Sequence, residues 1–376
     1  MSGSATGGRV AGARRLPPAL RPGAPVAPPP PAATPAARRG PVASPVPLFA
    51  LGAVVLVGSL ACAMVIGSGG IGFTELGRVF GAHLGLDVAP LPRLLDSMVW
   101  NLRVPRVLMA AVVGAALAIC GAVLQAVTRN ALADPYLLGV SHGASTGAVL
   151  VVVLAVGGGA LSVSAGAFAG ALGSFALLLA LLGRNGLGSV RVVLTGIVIG
   201  LLFEAITFLV LMASSDADTT RAIMHWLLGS MASSRWDSLV VTALVGAVGL
   251  VVLWLHSTAL DAFAFGTDTA ASLGIEVRTT RVVLLVATAL LTSVVVASVG
   301  AIAFVGLIVP HGIRFLVGPL HRVLLPFSAL AGAIFLVWTD ALARVVFAPR
   351  EVPVGVFTAL VGVPLFLLAL RKRGEW

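Results

Sequence analysis

Apolar residues along this chain come in long unbroken runs, with neither the alternation of half-buried strands nor the three-to-four spacing of surface helices. A helix rises 1.5 Å per residue, so about 20 apolar residues are needed to cross a hydrocarbon core ~30 Å thick. Ten runs approach that length: 47–66, 105–127, 137–156, 161–182, 192–212, 239–255, 282–299, 302–317, 323–342 and 354–370. The pattern predicts an all-α integral membrane protein of about ten transmembrane helices. Two divisions rest on glycine. No formally charged residue falls between Leu137 and Leu182, so a turn is expected at Gly157-Gly158-Gly159, and Gly300 is the break between the seventh and eighth runs.

Composition agrees with the pattern. The chain has 376 residues, of which 59% are hydrophobic and 10% charged, with a mean hydropathy of +1.08. Soluble domains carry roughly 25% charged residues, so a water-soluble enzyme is excluded. Ahead of the first run lies a leader, residues 1–46, rich in Pro, Ala and Arg. It holds 11 of the 22 prolines and almost no large apolar residue; such a segment cannot bury a core and is expected to be disordered. Residues 47–376 then form the membrane domain.

The net charge of +10 would suit a nucleic-acid binder, but its placement points to lipid instead. Six arginines lie in the leader and the others flank the spans. Cytoplasmic loops collect Arg and Lys. With ten spans and both termini inside, only Arg78, Arg93, Arg103, Arg106, Arg221, Arg235, Arg344 and Arg350 of the 24 basic residues fall outside. The expectation is a multi-pass protein of a bacterial cytoplasmic membrane, with both termini cytoplasmic and no nucleic-acid partner.

Transport is the ordinary work of such a chain. A P-loop needs Gly-Lys-Ser/Thr so that its lysine reaches the phosphates, and the single lysine, Lys372, is followed by Arg373. The chain therefore lacks an ATPase site of its own and is not expected to be an enzyme. Ion-driven carriers place carboxylates in mid-membrane, where only Glu204 and, nearer a helix end, Asp340 stand. Cys62 and Cys120 sit in apolar runs and read as packed thiols, and His142 and His311 lack ligand partners, so neither metal nor cofactor is expected.

Four blocks in order, Arg103-Val-Pro-Arg106, Gly121-Ala-Val-Leu-Gln125, Arg129-Asn-Ala-Leu-Ala-Asp134-Pro135 and Leu138-Gly-Val-Ser141-His-Gly-Ala144, resemble the permease family of ABC importers for iron chelates, haem and cobalamin. The likeness resumes at Trp226-Leu-Leu-Gly-Ser230, Gly266 to Gly274, Phe304-Val-Gly-Leu-Ile-Val-Pro-His311 with Arg314, Asp340-Ala-Leu-Ala-Arg344 and Val352-Pro-Val-Gly355. The blocks keep family order from about Pro47 to the C-terminus. The family usually has proline where Ala131 stands, and small or hydroxyl residues where Glu204 stands.

The resemblance implies a subunit that moves a ferric siderophore or similar metal chelate inward. Its implied partners are separate ABC ATPase subunits, an extracytoplasmic substrate-binding protein and a second permease subunit. It implies that Arg103, Arg106 and Arg350 dock carboxylates of the binding protein, for which the planar guanidinium fork is suited. It also implies that the loop 258–280 holds short helices that engage the ATPase through Gly266, Asp268, Ala270, Leu273 and Gly274. Read from the residues alone, that loop is an interfacial helix capped by Thr267 or Asp268 and ended by Gly274. Asp340 and Arg344, four apart on a helix, are expected to form an ion pair. Glu204 is left as a packing or pathway residue. The rival reading makes it the proton relay of a secondary carrier or exporter. Arg103-x-x-Arg106 and Arg278-x-x-Arg281 open the second and seventh spans, which fits an inverted repeat of spans two to five and seven to ten.

Overall fold

A computed structural model describes residues 45–371 apart from 68–69, 155–160, 184–185, 214–215 and 349. In chain order its helices are α1 (Pro45–Val65), α2 (Phe73–His83), α3 (Arg93–Ser97), α4 (Val104–Thr128), α5 (Val140–Val153), α6 (Val163–Leu182), α7 (Ser189–Met212) and α8 (Ala217–Leu227). There follow α9 (Trp236–Leu255), α10 (Ser257–Ala264), α11 (Thr267–Ser272), α12 (Val277–Val299), α13 (Val305–Val317), α14 (His321–Val345) and α15 (Val354–Arg371). The described residues contain no strand. Each of the ten apolar runs is met by one helix: α1, α4 to α7, α9 and α12 to α15. The expected leader lies, up to Ser44, outside the described residues, as does the glycine turn at 157–159. Gly300 does end α12, with φ +76°.

Seven of the ten helices are long and apolar enough to cross a membrane, whereas α5, α13 and the stretch Val354–Pro364 of α15 are shorter. For α5 and α13 the missing length is supplied by irregular backbone. A 3-10 turn, Pro135–Leu138, precedes α5, and residues 300–304 precede α13. These two segments meet. The Tyr136 hydroxyl donates to the Ile302 carbonyl at 2.9 Å and accepts from the Ile302 N–H at 2.6 Å, which satisfies backbone groups that lipid could not.

The core is built around α4, most of whose residues are buried. It packs on α14, α13, α9 and α12. Close approach is possible because glycine faces glycine: a Cβ on Gly114 would lie 2.2 Å from the Gly332 carbonyl oxygen, and one on Gly121 would lie 1.8 Å from that of Gly306. No side chain fits at either point, and backbones in van der Waals contact replace the hydrophobic drive that lipid cannot provide. Just as α4 packs on α13 and α14, α12 packs on α5 and α6. An inverted repeat of spans two to five and seven to ten pairs its helices in this way.

Candidate functional site

Two clusters of polar residues mark opposite ends of the bundle. At the end where α1 and α14 finish, Asp340 is 0% exposed. Arg106 donates to it through Nε (3.1 Å to Oδ1) and Nη2 (2.9 Å to Oδ1), and the Arg344 Nε lies 3.2 Å from its Oδ2. Arg106 turns its Nη1 to Glu351 Oε2 at 2.9 Å. Arg103 donates through Nη1 to the carbonyls of Met64 and Val65, while Arg344 donates to those of Ala63 and Ile66. The last carbonyls of α1 have no intrahelical donors, so two guanidinium groups cap that helix end and offset its negative pole. Together with Glu351, the three arginines border a cleft of about 410 Å³.

The two arginines expected to dock a partner are both engaged within the chain. Arg103 is only 7% exposed, and the Arg106 fork is already filled by Asp340 and Glu351. Each satisfies acceptors of its own chain. Arg350 is exposed. The pair Asp340–Arg344 forms as read, but within a network that also holds Arg106 and Glu351, and Glu351 was not singled out from the sequence.

At the opposite end, α10 and α11 make an elbow. α10 buries Leu260 and Phe263, and α11 buries Ala270. The cap of α11 is Gly266, at φ +110° and ψ 161°, in place of the expected Thr267 or Asp268. A positive φ at this sharp turn suits glycine alone. Asp268 instead occupies the first turn, exposed, at the positive pole of the helix. Gly274 closes the elbow as expected. Its N–H bonds the Ala271 carbonyl and the Ile275 N–H bonds that of Ala270, the paired bonds of a Schellman ending. Ala270 therefore faces the protein, and the outward apolar residues are Leu273, 67% exposed, and Phe265, 77% exposed.

The elbow is fastened to the bundle. Asp261 of α10 accepts from the backbone N–H of His321 at 2.9 Å and lies 2.7 Å from its Nδ1. Nearby, Arg314 donates to Gln125 Oε1 at 2.5 Å, and Gln125 Nε2 donates to the Leu307 carbonyl at 3.1 Å. These links tie α13 to α4. Glu204 stands apart from both clusters, half-buried on α7. Among the described residues no three His, Cys, Asp or Glu side chains gather closely enough to hold a metal ion.

Residues 53–372 match the model of the FecCD transport family. The chain is 40% identical over 313 residues to the cobalamin import system permease BtuC of Halobacterium salinarum, covering 83% of this chain and 82% of that protein. It is 34% identical over 309 residues to the Fe(3+)-citrate import system permease YfmD of Bacillus subtilis, covering 78% and 92%. Its fold is similar to that of a solved metal-chelate type ABC transporter in an inward-facing conformation. The TM-score is 0.75 at 28% identity, over 87% of this chain and 99% of that one.

Proposed function

The chain belongs to the FecCD transport family, and from that premise we propose that it is the permease subunit of an ABC importer that carries a ferric siderophore or similar metal chelate into the cytoplasm. The observation that carries this reading is the elbow of α10 and α11. It is a short, tightly capped unit whose inner residues are locked into the bundle and whose outer residues, Phe265 and Leu273, are apolar and uncovered. An ATPase subunit gains a place to push. The push would pass through Asp261 to His321 at the start of α14, and α14, 25 residues long and so roughly 37 Å, would carry it to Asp340 and Arg106 at the far end.

In this reading both termini are cytoplasmic and the elbow faces the ATPase subunits. The Arg106 end faces a substrate-binding protein, with exposed Arg350 as the docking cation. A second permease subunit, identical or not, completes a path lined partly by α7 and α8. The chain performs no covalent chemistry. The 40% identity to a cobalamin permease favours cobalamin, itself a metal chelate, as the second substrate reading. Uptake of labelled ferric siderophore, haem and cobalamin by a strain deleted for this gene, with and without the gene restored, separates the substrates. Loss of none of the three on deletion would refute the importer reading.

A further inference from the structure

Beside the elbow, at the end of the bundle where α12 begins, a cleft of about 600 Å³ opens between the close of α6 and the start of α12. Leu179, Leu182 and Leu187 form its apolar wall, and Arg278 and Arg281 form its polar one. Arg281 is 7% exposed. Its Nη1 donates to the Leu187 carbonyl at 2.5 Å and its guanidinium lies 5.7 Å from the centre of the Phe263 ring, but its Nε is buried with no acceptor. A buried charged donor without an acceptor is strongly unfavourable. Arg278 lies on the same helical face and has no ion-pair partner among the described residues. Arg129 adds a further like charge acting on Arg281. Glu276, the carboxylate on that turn, accepts from the Thr279 hydroxyl at 2.8 Å.

A second cavity continues from the first. Between α9 and α12 runs a groove of about 650 Å³ lined wholly by apolar side chains, among them Val248, Val252, Val286 and Leu290. Val282 lines both cavities. From Val282 to Leu290 the groove follows α12 for roughly 12 Å at 1.5 Å per residue. A greasy channel along the membrane, ending at paired arginines where the helix leaves it, has the outline of one acyl chain joined to a phosphate. We propose that this composite site binds an anionic phospholipid of the cytoplasmic leaflet, its phosphate between Arg278 and Arg281 and one acyl chain in the groove between α9 and α12. A free phosphate would satisfy the arginines but would leave the adjoining groove without a role. Since α12 follows directly on the elbow, the lipid would brace the joint between them. The inference takes from the proposed function only that the elbow end is cytoplasmic, and does not depend on what is transported.

The test is native mass spectrometry of the full chain released from nanodiscs of equal parts phosphatidylglycerol and phosphatidylcholine. One phosphatidylglycerol per chain should be retained, with a preference of about tenfold over phosphatidylcholine. Arg278→Gln with Arg281→Gln should abolish that preference, and exposed Arg278→Gln alone should weaken it without threatening the fold. Val286→Trp, which fills the groove and leaves the arginines untouched, should also expel the lipid. Equal retention of the two lipids by the wild type, or undiminished phosphatidylglycerol in the double variant, would overturn the proposal. So would inorganic phosphate binding equally well to the wild type and Val286→Trp, which would assign the arginines to a free anion.

Discussion

Asp340 is a carboxylate with no access to water, so its charge is tolerable only because two arginines enclose it. Replacing Arg106 by Gln leaves Arg344 as its sole ionic partner and strands Glu351 as well. We expect a loss of up to about 3 kcal/mol, read as a fall of roughly 5–10 °C in the apparent melting midpoint in detergent. Arg350→Glu, at an exposed site, should leave the midpoint unchanged and weaken association with the binding protein. A changed midpoint together with unchanged association would remove Arg350 from the docking surface. Asp134 supplies a pH test. Burial pushes its carboxyl up to about 6 against the pull of the Tyr136 N–H bond. The folded state then favours the protonated form, so its charge weakens the fold at pH 7 and the penalty fades as pH falls through 6 towards 4. The penalty is about 2 kcal/mol after allowance for partial exposure. Asn keeps the acceptor without the charge. Asp134→Asn should therefore raise the midpoint most at pH 7.5, by roughly half as much at pH 5 and not at all near pH 3, and an equal gain at all three pH values would rule out ionisation as the cause. At this scale the sequence is legible only locally. Asp340 and Arg344 are four apart and could be paired on paper, whereas Arg106 reaches Asp340 across 234 residues and no spacing rule foretells that.

The elements were the readable scale, because hydropathy over 20 residues depends on the solvent and hardly at all on tertiary contacts. All ten runs became helices with ends shifted by a few residues. What hydropathy could not give is which face of a short helix looks inward. On α11, Ala270 and Leu273 are three residues apart and equally apolar, yet one is buried and the other exposed. Two short helices, α2 and α8, are too polar to span and leave no hydropathy signal, although Glu75 and Asp216 mark their starts; the Asp216 side chain accepts from the Asp218 and Thr219 N–H groups. The contrast within the elbow makes a prediction. Leu273→Asp alters only an exposed site, so the permease should accumulate normally in the membrane while losing its ATPase subunits or their coupled hydrolysis. Ala270→Asp buries an unpaired carboxylate, at several kcal/mol, and should lower the amount of folded permease itself. Co-purification of the ATPase with Leu273→Asp at wild-type levels, with transport intact, would show that the elbow merely lies on the membrane.

At the scale of the whole molecule the question is what drives it. In the proposed reading, the lever from the elbow to the Arg106 end along α14 would give an ATPase a mechanical route through the membrane, and its titratable groups, Asp261 with His321 and Asp340 with Arg106, are held in pairs at its two ends. Glu204 lies off that route, half-buried on a helix whose exposed side beyond Arg191 is otherwise apolar, including Leu201 and Phe208. A carboxylate at such depth faces protein or water, and Gln can keep its shape and most of its hydrogen bonds. If ATP drives transport, Glu204→Gln should retain ATP-dependent uptake within about twofold and leave its pH profile unchanged, since no coupled proton passes through that residue. A proton-coupled carrier would behave in the opposite way, because the substitution removes its mid-span acceptor. Proteoliposomes holding the permease with its ATPase and binding protein separate the two. Uptake that requires ATP, ignores an imposed proton gradient and survives Glu204→Gln is the expected result. Uptake that follows the gradient without ATP and vanishes in Glu204→Gln would mean that the elbow and α14 transmit nothing, and that Glu204 is the engine.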